Sequence, residues 1–182
     1  MYSQTDLLAA FQAYLIYSMM LFFSPQHGPL LIDRQVMINL LDFASDISTT
    51  GLVCPAEISK MTPDWESWIV ACTKRRTLYT LYLFDNLFCT AHKLPSFLGE
   101  ELESLPAPAR KSLWEASDRG LWEKTYTVYL AEWPDGGLRI DELWPDLSPD
   151  NGEKRRRVDR WLQSVDEYGM MLFAVTHITH GA

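Results

Sequence analysis

Arg76, Asp85 and His92 lie along one apolar stretch and are of types that can do chemistry. In a water-poor pocket Asp85 or His92 could move a proton, and the Arg76 guanidinium could hold negative charge developing on a substrate. Arg75 stands beside Arg76, and charges set among apolar neighbours need a partner or a ligand. Asp85 follows Arg76 by nine residues. That is about two and a half turns, too far for a pair on one helix. The structural alternative for Arg76 is an ion pair with an acid such as Glu66, Glu115 or Asp166. His92 falls at the end of the same stretch, where a cation also suits the negative pole of a helix, so a capping role competes with a catalytic one.

The element that must position these groups runs from Met61 to Ala91. Thr62-Pro63-Asp64 is a start signal: Thr can cap free N–H groups, Pro fits a first helical position, and Asp complements the positive dipole end. Trp65, Trp68, Ile69, Cys72, Tyr79, Leu83 and Leu87 recur at spacings of three, four or seven, and Ala71, Leu78, Tyr82 and Phe84 widen the stripe. This predicts a helix in the core. Trp68, Tyr79, Tyr82, Trp114, Trp122 and Tyr126 are the ligand-binding candidates, because aromatic side chains wall apolar pockets as readily as they fill cores.

Around that helix the remaining elements read as helical. Leu7 to Ile32 carries no charge, and Ser3 with Asp6 resembles a capping box, so a first helix is predicted from near Ser3 to Ser24-Pro25. Its apolar part is at the short end of the about 17–25 residues a bilayer needs, contains Gln12 and Ser18, and lacks flanking Lys or Arg. It reads as a buried core helix rather than a membrane span, and the start has no positive charge for a secretory signal. After the turn Pro25 to Pro29, a second helix from about Asp33 to Ile47 forms a hairpin with the first, burying Val36, Met37, Leu40, Leu41, Phe43, Ala44 and Ile47. Ser48 to Lys60 reads as a loop. Residues 93 to 113 read as a long Pro-rich loop with one short turn around Glu100 to Ser104. Ser117 and Asp118 offer caps for a helix to about Trp133, with Trp122, Tyr126, Tyr129 and Trp133 on one face. Pro134 to Gly137 is a turn, and a short segment, Ile140 to Trp144, follows. From Ser148-Pro149-Asp150 a last long helix is predicted over about 150 to 178, with Trp161, Leu162, Val165, Tyr168, Met171, Leu172 and Val175 inward. The expected fold is all-α, one domain of about five to six helices.

Composition narrows the function classes. A net charge of −8 over 182 residues argues against nucleic-acid binding through the general surface. The basic run Lys154-Arg155-Arg156-Arg157, with Arg160, could be a localisation or phosphate-contacting patch, against a solvated helix face as the ordinary reading. Three cysteines, an odd count without CxxC spacing, suit a reducing compartment. His177 and His180 share a helix face, but no second ligand pair accompanies them, and a frayed terminus explains them. No GxGxxG, phosphate loop, GxSxG or HExxH occurs, so no cofactor or metal is expected.

Three places carry a resemblance to a known family: Trp65-Glu66-Ser67-Trp68 followed by Lys74-Arg75-Arg76-Thr77; Leu105-Pro106-Ala107-Pro108 followed by Leu113-Trp114-Glu115-Ala116 and Trp122; and Val165-Asp166-Glu167-Tyr168-Gly169-Met170-Met171-Leu172. Together they make the chain resemble the fungal-specific transcription factor domain, the helical regulatory part of zinc-cluster and zinc-finger regulators. The resemblance spans nearly the whole chain and implies a nuclear context and sensing of a small molecule or partner. The chain departs from that family in having neither six clustered cysteines nor a finger, so no direct binding of nucleic acid is expected from it. It is either a fragment or a stand-alone relative. The expectation is an intracellular protein, nuclear or cytoplasmic, binding a hydrophobic small molecule or a protein partner in a regulatory or secondary-metabolism setting. The alternative is a biosynthetic enzyme acting on a hydrophobic natural-product intermediate, with Arg76, Tyr79, Asp85, His92 and Trp122 carrying the reaction. A third reading is an inhibitory partner that dimerises, as a homodimer or with regulators, through an apolar helix face.

Overall fold

In the computed structural model, which describes residues 3–25, 32–95, 98–145 and 151–180, the helices in chain order are α1 (Gln4–Phe22), α2 (Arg34–Ser48), α3 (Pro55–Ile58), α4 (Trp65–His92), α5 (Leu98–Leu102), α6 (Lys111–Trp114), α7 (Arg119–Glu132), α8 (Gly152–Leu162) and α9 (Glu167–Thr179). A 3-10 turn, Ile140–Leu143, lies between α7 and α8. Among the described residues there is no strand, and the fold is all-α. Six of the helices have eleven residues or more; the other three have four or five.

The 28-residue α4 is the axis. Asp64 caps it, accepting the Ser67 N–H at 3.0 Å, so the cap of the Thr62-Pro63-Asp64 signal is Asp64 and not Thr62. A carboxylate one residue from the first turn satisfies a free N–H group and meets the dipole at once. The helix ends where Lys93 turns left-handed at φ 56°. Between Thr77 and Phe84 every residue except Thr80 is buried, which gives the all-round burial that the widened stripe predicts. Leu87, expected inward, is exposed.

α2 packs antiparallel to α1, with Phe11 stacked on Phe43 at 5.9 Å and Asn39 Nδ2 donating to Tyr14 Oη at 3.1 Å. α1 runs alongside α4 in the same sense: Lys74 reaches Gln4, Gln12 reaches Thr77, and Phe22 meets Phe84 edge-on. Its buried positions, Leu8, Phe11, Leu15, Ser18 and Phe22, form one face only. By length and composition α1 could cross a membrane, and it is a core helix on that one face alone, because Ile16, Tyr17, Met20, Leu21 and Phe23 are exposed on the other.

The expected loops hold short helices. α3 forms within 48 to 60 because Glu57 reaches back to the Cys54 N–H at 2.9 Å. The Pro-rich segment contains α5 and α6, and between them it is pinned from both sides. Ala107 donates to the Leu138 carbonyl, the Leu105 carbonyl accepts from Ile140, the Pro108 carbonyl accepts from the Trp161 indole, and the Pro106 carbonyl accepts from Tyr79 Oη. Prolines suit a strap whose carbonyls accept and whose own N–H groups are not needed.

The last helix predicted from the stripe is two. The chain bends at 163–166, and Asp166 starts α9 by accepting the Gly169 N–H at 2.9 Å. Met171, expected inward, is exposed. The cap at Ser148-Pro149-Asp150 and most of the turn from Pro25 to Pro29 lie outside the described residues.

Candidate functional site

Three consecutive cations on α4 are drawn inward, and each is matched differently. Lys74 is 3% exposed and its Nζ lies 3.1 to 3.3 Å from the carbonyls of Thr50 and Gly51 and from Gln4 Oε1. Burial without an acid beside it lowers its pKa. Arg75 forms a two-pronged pair with Glu57, at 3.0 and 3.1 Å, and donates to the Leu52 carbonyl at 2.7 Å. Arg76 pairs with Asp166 and lies against two rings, Trp114 at 4.2 Å and Tyr168 at 4.8 Å. Of the three acids considered for Arg76, the fold selects Asp166; Glu66 pairs instead with Arg119. These cations tie the 49–58 segment and the start of α9 to the axis.

The aromatic candidates fall in four places. Trp68, Trp122 and Tyr126 form one cluster between α4 and α7, with centroids 4.8 to 6.3 Å apart, and each is no more than 2% exposed. They fill a second, smaller core, although Tyr126 also borders a cleft of about 340 Å³ beside Tyr129, Leu130 and Trp133. Tyr79 is fully buried, and burial raises its pKa, so it stays a neutral donor to the strap. Trp114 stacks on Arg76. Tyr82 is buried with its hydroxyl 3.4 Å from His180 Nε2, and His180 lies flat on Trp144 at 4.3 Å. The end of α9 is therefore docked, not frayed, and burial lowers the His180 pKa.

A cleft of about 600 Å³ opens where α2, α4 and α5 meet. Its walls are apolar, from Leu41, Ala44, Leu78, Leu81, Leu102 and Leu105, and Asp85 and Glu101 bring two carboxyl groups to it. Asp85 is half-buried and accepts from Cys89 Sγ at 3.6 Å. His92 is exposed, with its ring against Phe88 at 4.4 Å. It lies seven residues beyond Asp85, about 10 Å of helical rise. Arg76 lines a separate groove between α1 and α4. The three catalytic candidates thus do not converge, and only Asp85 of the three borders this cleft.

Lys74, Glu57 and the leucine walls of the cleft are absent from the candidates read from the sequence. Glu57 could have been found from Cys54-Pro55-Ala56-Glu57, which has a capping acid three residues after the cap; Lys74 could not, because its partners are carbonyls. The thiols offer no nucleophile: burial pushes Cys54 and Cys89 up to about 11 and raises Cys72 as well. No group of three or more metal-ligating side chains occurs among the described residues. The basic run is partly spent inside the fold, since Arg157 pairs with Glu142 at 2.6 Å, and both Arg157 and Arg160 lie over Trp133. No family model, curated protein or solved structure matches the chain.

Proposed function

We propose that the chain is a helical binding domain of a regulatory kind, taking a hydrophobic small molecule into the cleft between α2, α4 and α5. The observation that carries this reading is the cleft itself. Its volume of about 600 Å³ and its apolar walls with two carboxyl groups match the usual make-up of small-molecule sites, which hold about 300–1,000 Å³. A ligand with an apolar body and a cationic or donor group directed at Asp85 and Glu101 fits best. The resemblance to the fungal-specific transcription factor domain supports a sensing role.

Asp85 keeps an enzymatic reading as second, because a carboxylate at an apolar cleft is the arrangement from which proton transfer is built. It has less support, since His92 and Arg76 stand elsewhere.

The test is to incubate the purified protein with a small-molecule extract of its source organism and analyse bound and free fractions by mass spectrometry. A compound retained unchanged by the native chain and lost from Ser48→Trp, which fills the mouth of the cleft, is the expected result. A product absent from the boiled control would turn the reading to an enzyme and make Asp85→Asn the next variant. Retention of nothing, or equal retention by Ser48→Trp, would overturn the assignment.

A further inference from the structure

Ala9, Ala13, Ile16 and Met20 on α1 and its C-cap residue Phe23 follow one another at spacings of four, three, four and three, and all five are exposed. The buried face of α1, Leu8, Phe11, Leu15, Ser18 and Phe22, has the same three–four repeat, so α1 carries two faces of helix-packing spacing, and only one of them is covered by its own domain. Tyr17 and Leu21 flank the uncovered seam and are also exposed. With about 200 Å² for a large side chain, the fractional exposures of Ile16, Tyr17, Met20, Leu21 and Phe23 leave about 600 Å² of apolar surface. That is as large as the biggest apolar patch of an ordinary monomer.

We infer that this face is a self-association surface and that its occupant is α1 of a second copy, lying antiparallel. Two copies would bury about 1,200 Å², the lower bound for a stable, specific interface. The order of side-chain sizes sets the direction. Pairing an a position with a d position, as antiparallel helices do, puts Ala9 opposite Met20 and Ala13 opposite Ile16, and the two-fold axis repeats both pairs. Both of these pairs join a small side chain to a large one, which lets the helices approach evenly, and Phe23 falls opposite Asp6 at each end of the seam. A parallel pair would set alanine on alanine at one end and Phe23 on Phe23 at the other, and the axes would splay. Charge agrees: the chain carries −8, yet this stretch has no charged residue after Asp6 until Asp33, so two copies meet here without opposing like charges. A lipid surface fits less well, because an interfacial helix is flanked by Lys or Arg, and the first one in the chain is Arg34. The seam shares no residue with the cleft, so this inference stands apart from the proposed function.

The test is the mass in solution of the full chain, by sedimentation equilibrium over a range of concentrations, with far-UV circular dichroism as the control for folding. The native chain is expected to be a dimer, and Ile16→Glu, an exposed position, a monomer of unchanged helicity. Ala9→Lys and Met20→Glu should each give monomers, and the two together should restore the dimer, because opposite charges then meet in the antiparallel register. A native chain that stays monomeric, a dimer indifferent to Ile16→Glu, or a folded double variant that remains monomeric would overturn the inference. So would a monomer that partitions onto phosphatidylcholine–phosphatidylserine vesicles.

Discussion

Asp166 holds α9 and α4 together with its two oxygens: Oδ1 accepts the Gly169 N–H that starts α9, and Oδ2 takes the Arg76 guanidinium from the middle of α4. Ninety residues separate Arg76 from Asp166 in the chain. The pair is nearly out of water, with side-chain exposures of 13% and 9%. Tyr168 closes the arrangement by donating its hydroxyl to the Arg76 carbonyl at 2.8 Å while its ring covers the guanidinium.

The two ends of this pair are not equivalent. Asp166→Ala removes the helix cap and leaves a cation between Trp114 and Tyr168 without its acid, a loss of about 3–5 kcal/mol for the charge alone and about 1 kcal/mol for the cap. Arg76→Leu leaves Asp166 still capping α9 and keeps an apolar side chain between the rings. Urea unfolding should therefore show Asp166→Ala as the more damaging by about 1–2 kcal/mol. Equal losses would mean that the cap contributes nothing.

How much of this was legible in the sequence differs from place to place. The Ser3–Asp6 capping box of α1 could be read directly, because both partners lie within four residues and each satisfies the other. Asp166 was legible only as one of three acids for Arg76. The stretch was read as one helix from its apolar stripe, and the break into two depends on Arg76, a partner far along the chain. The cleft was not legible at all, since its walls come from α2, α4 and α5, and in each segment those leucines fit an ordinary core pattern. The burial of Trp68 and Trp122 against each other was not legible either, because an aromatic side chain suits a pocket wall and a core alike.

The docked end of α9 should respond to acid. His180 has its pKa lowered by burial, with the Glu100 charge acting the other way. A histidine whose folded value is depressed contributes fully above its ordinary value of 6.5, and the contribution is lost as the pH falls through that value towards the folded one. The melting temperature of the native chain should therefore fall more steeply between about pH 7 and 5 than that of His180→Phe, which keeps the stack on Trp144 and cannot take up a proton. Parallel curves for the two proteins would show that His180 titrates alike in the folded and unfolded chains.

Two helical glycines should respond in opposite directions to alanine. At Gly169 a Cβ would stand 2.2 Å from Val165 Cγ2 and 3.2 Å from the Trp161 ring, and Trp161 is held by its indole bond to the Pro108 carbonyl. The ring cannot retreat without giving up that bond, so Gly169→Ala should cost about 1–3 kcal/mol and lower the melting temperature by several degrees. At Gly152 nothing lies within 4 Å of the same added carbon, and the residue already has helical geometry at the start of α8. Gly152→Ala removes only freedom of the unfolded chain and should raise stability by about 0.4–1 kcal/mol. Thermal unfolding of the pair checks both signs at once. A stabilised Gly169→Ala would mean that α9 can lift away from Trp161 without loss, and hence that the bend at 163–166 is held by Asp166 alone.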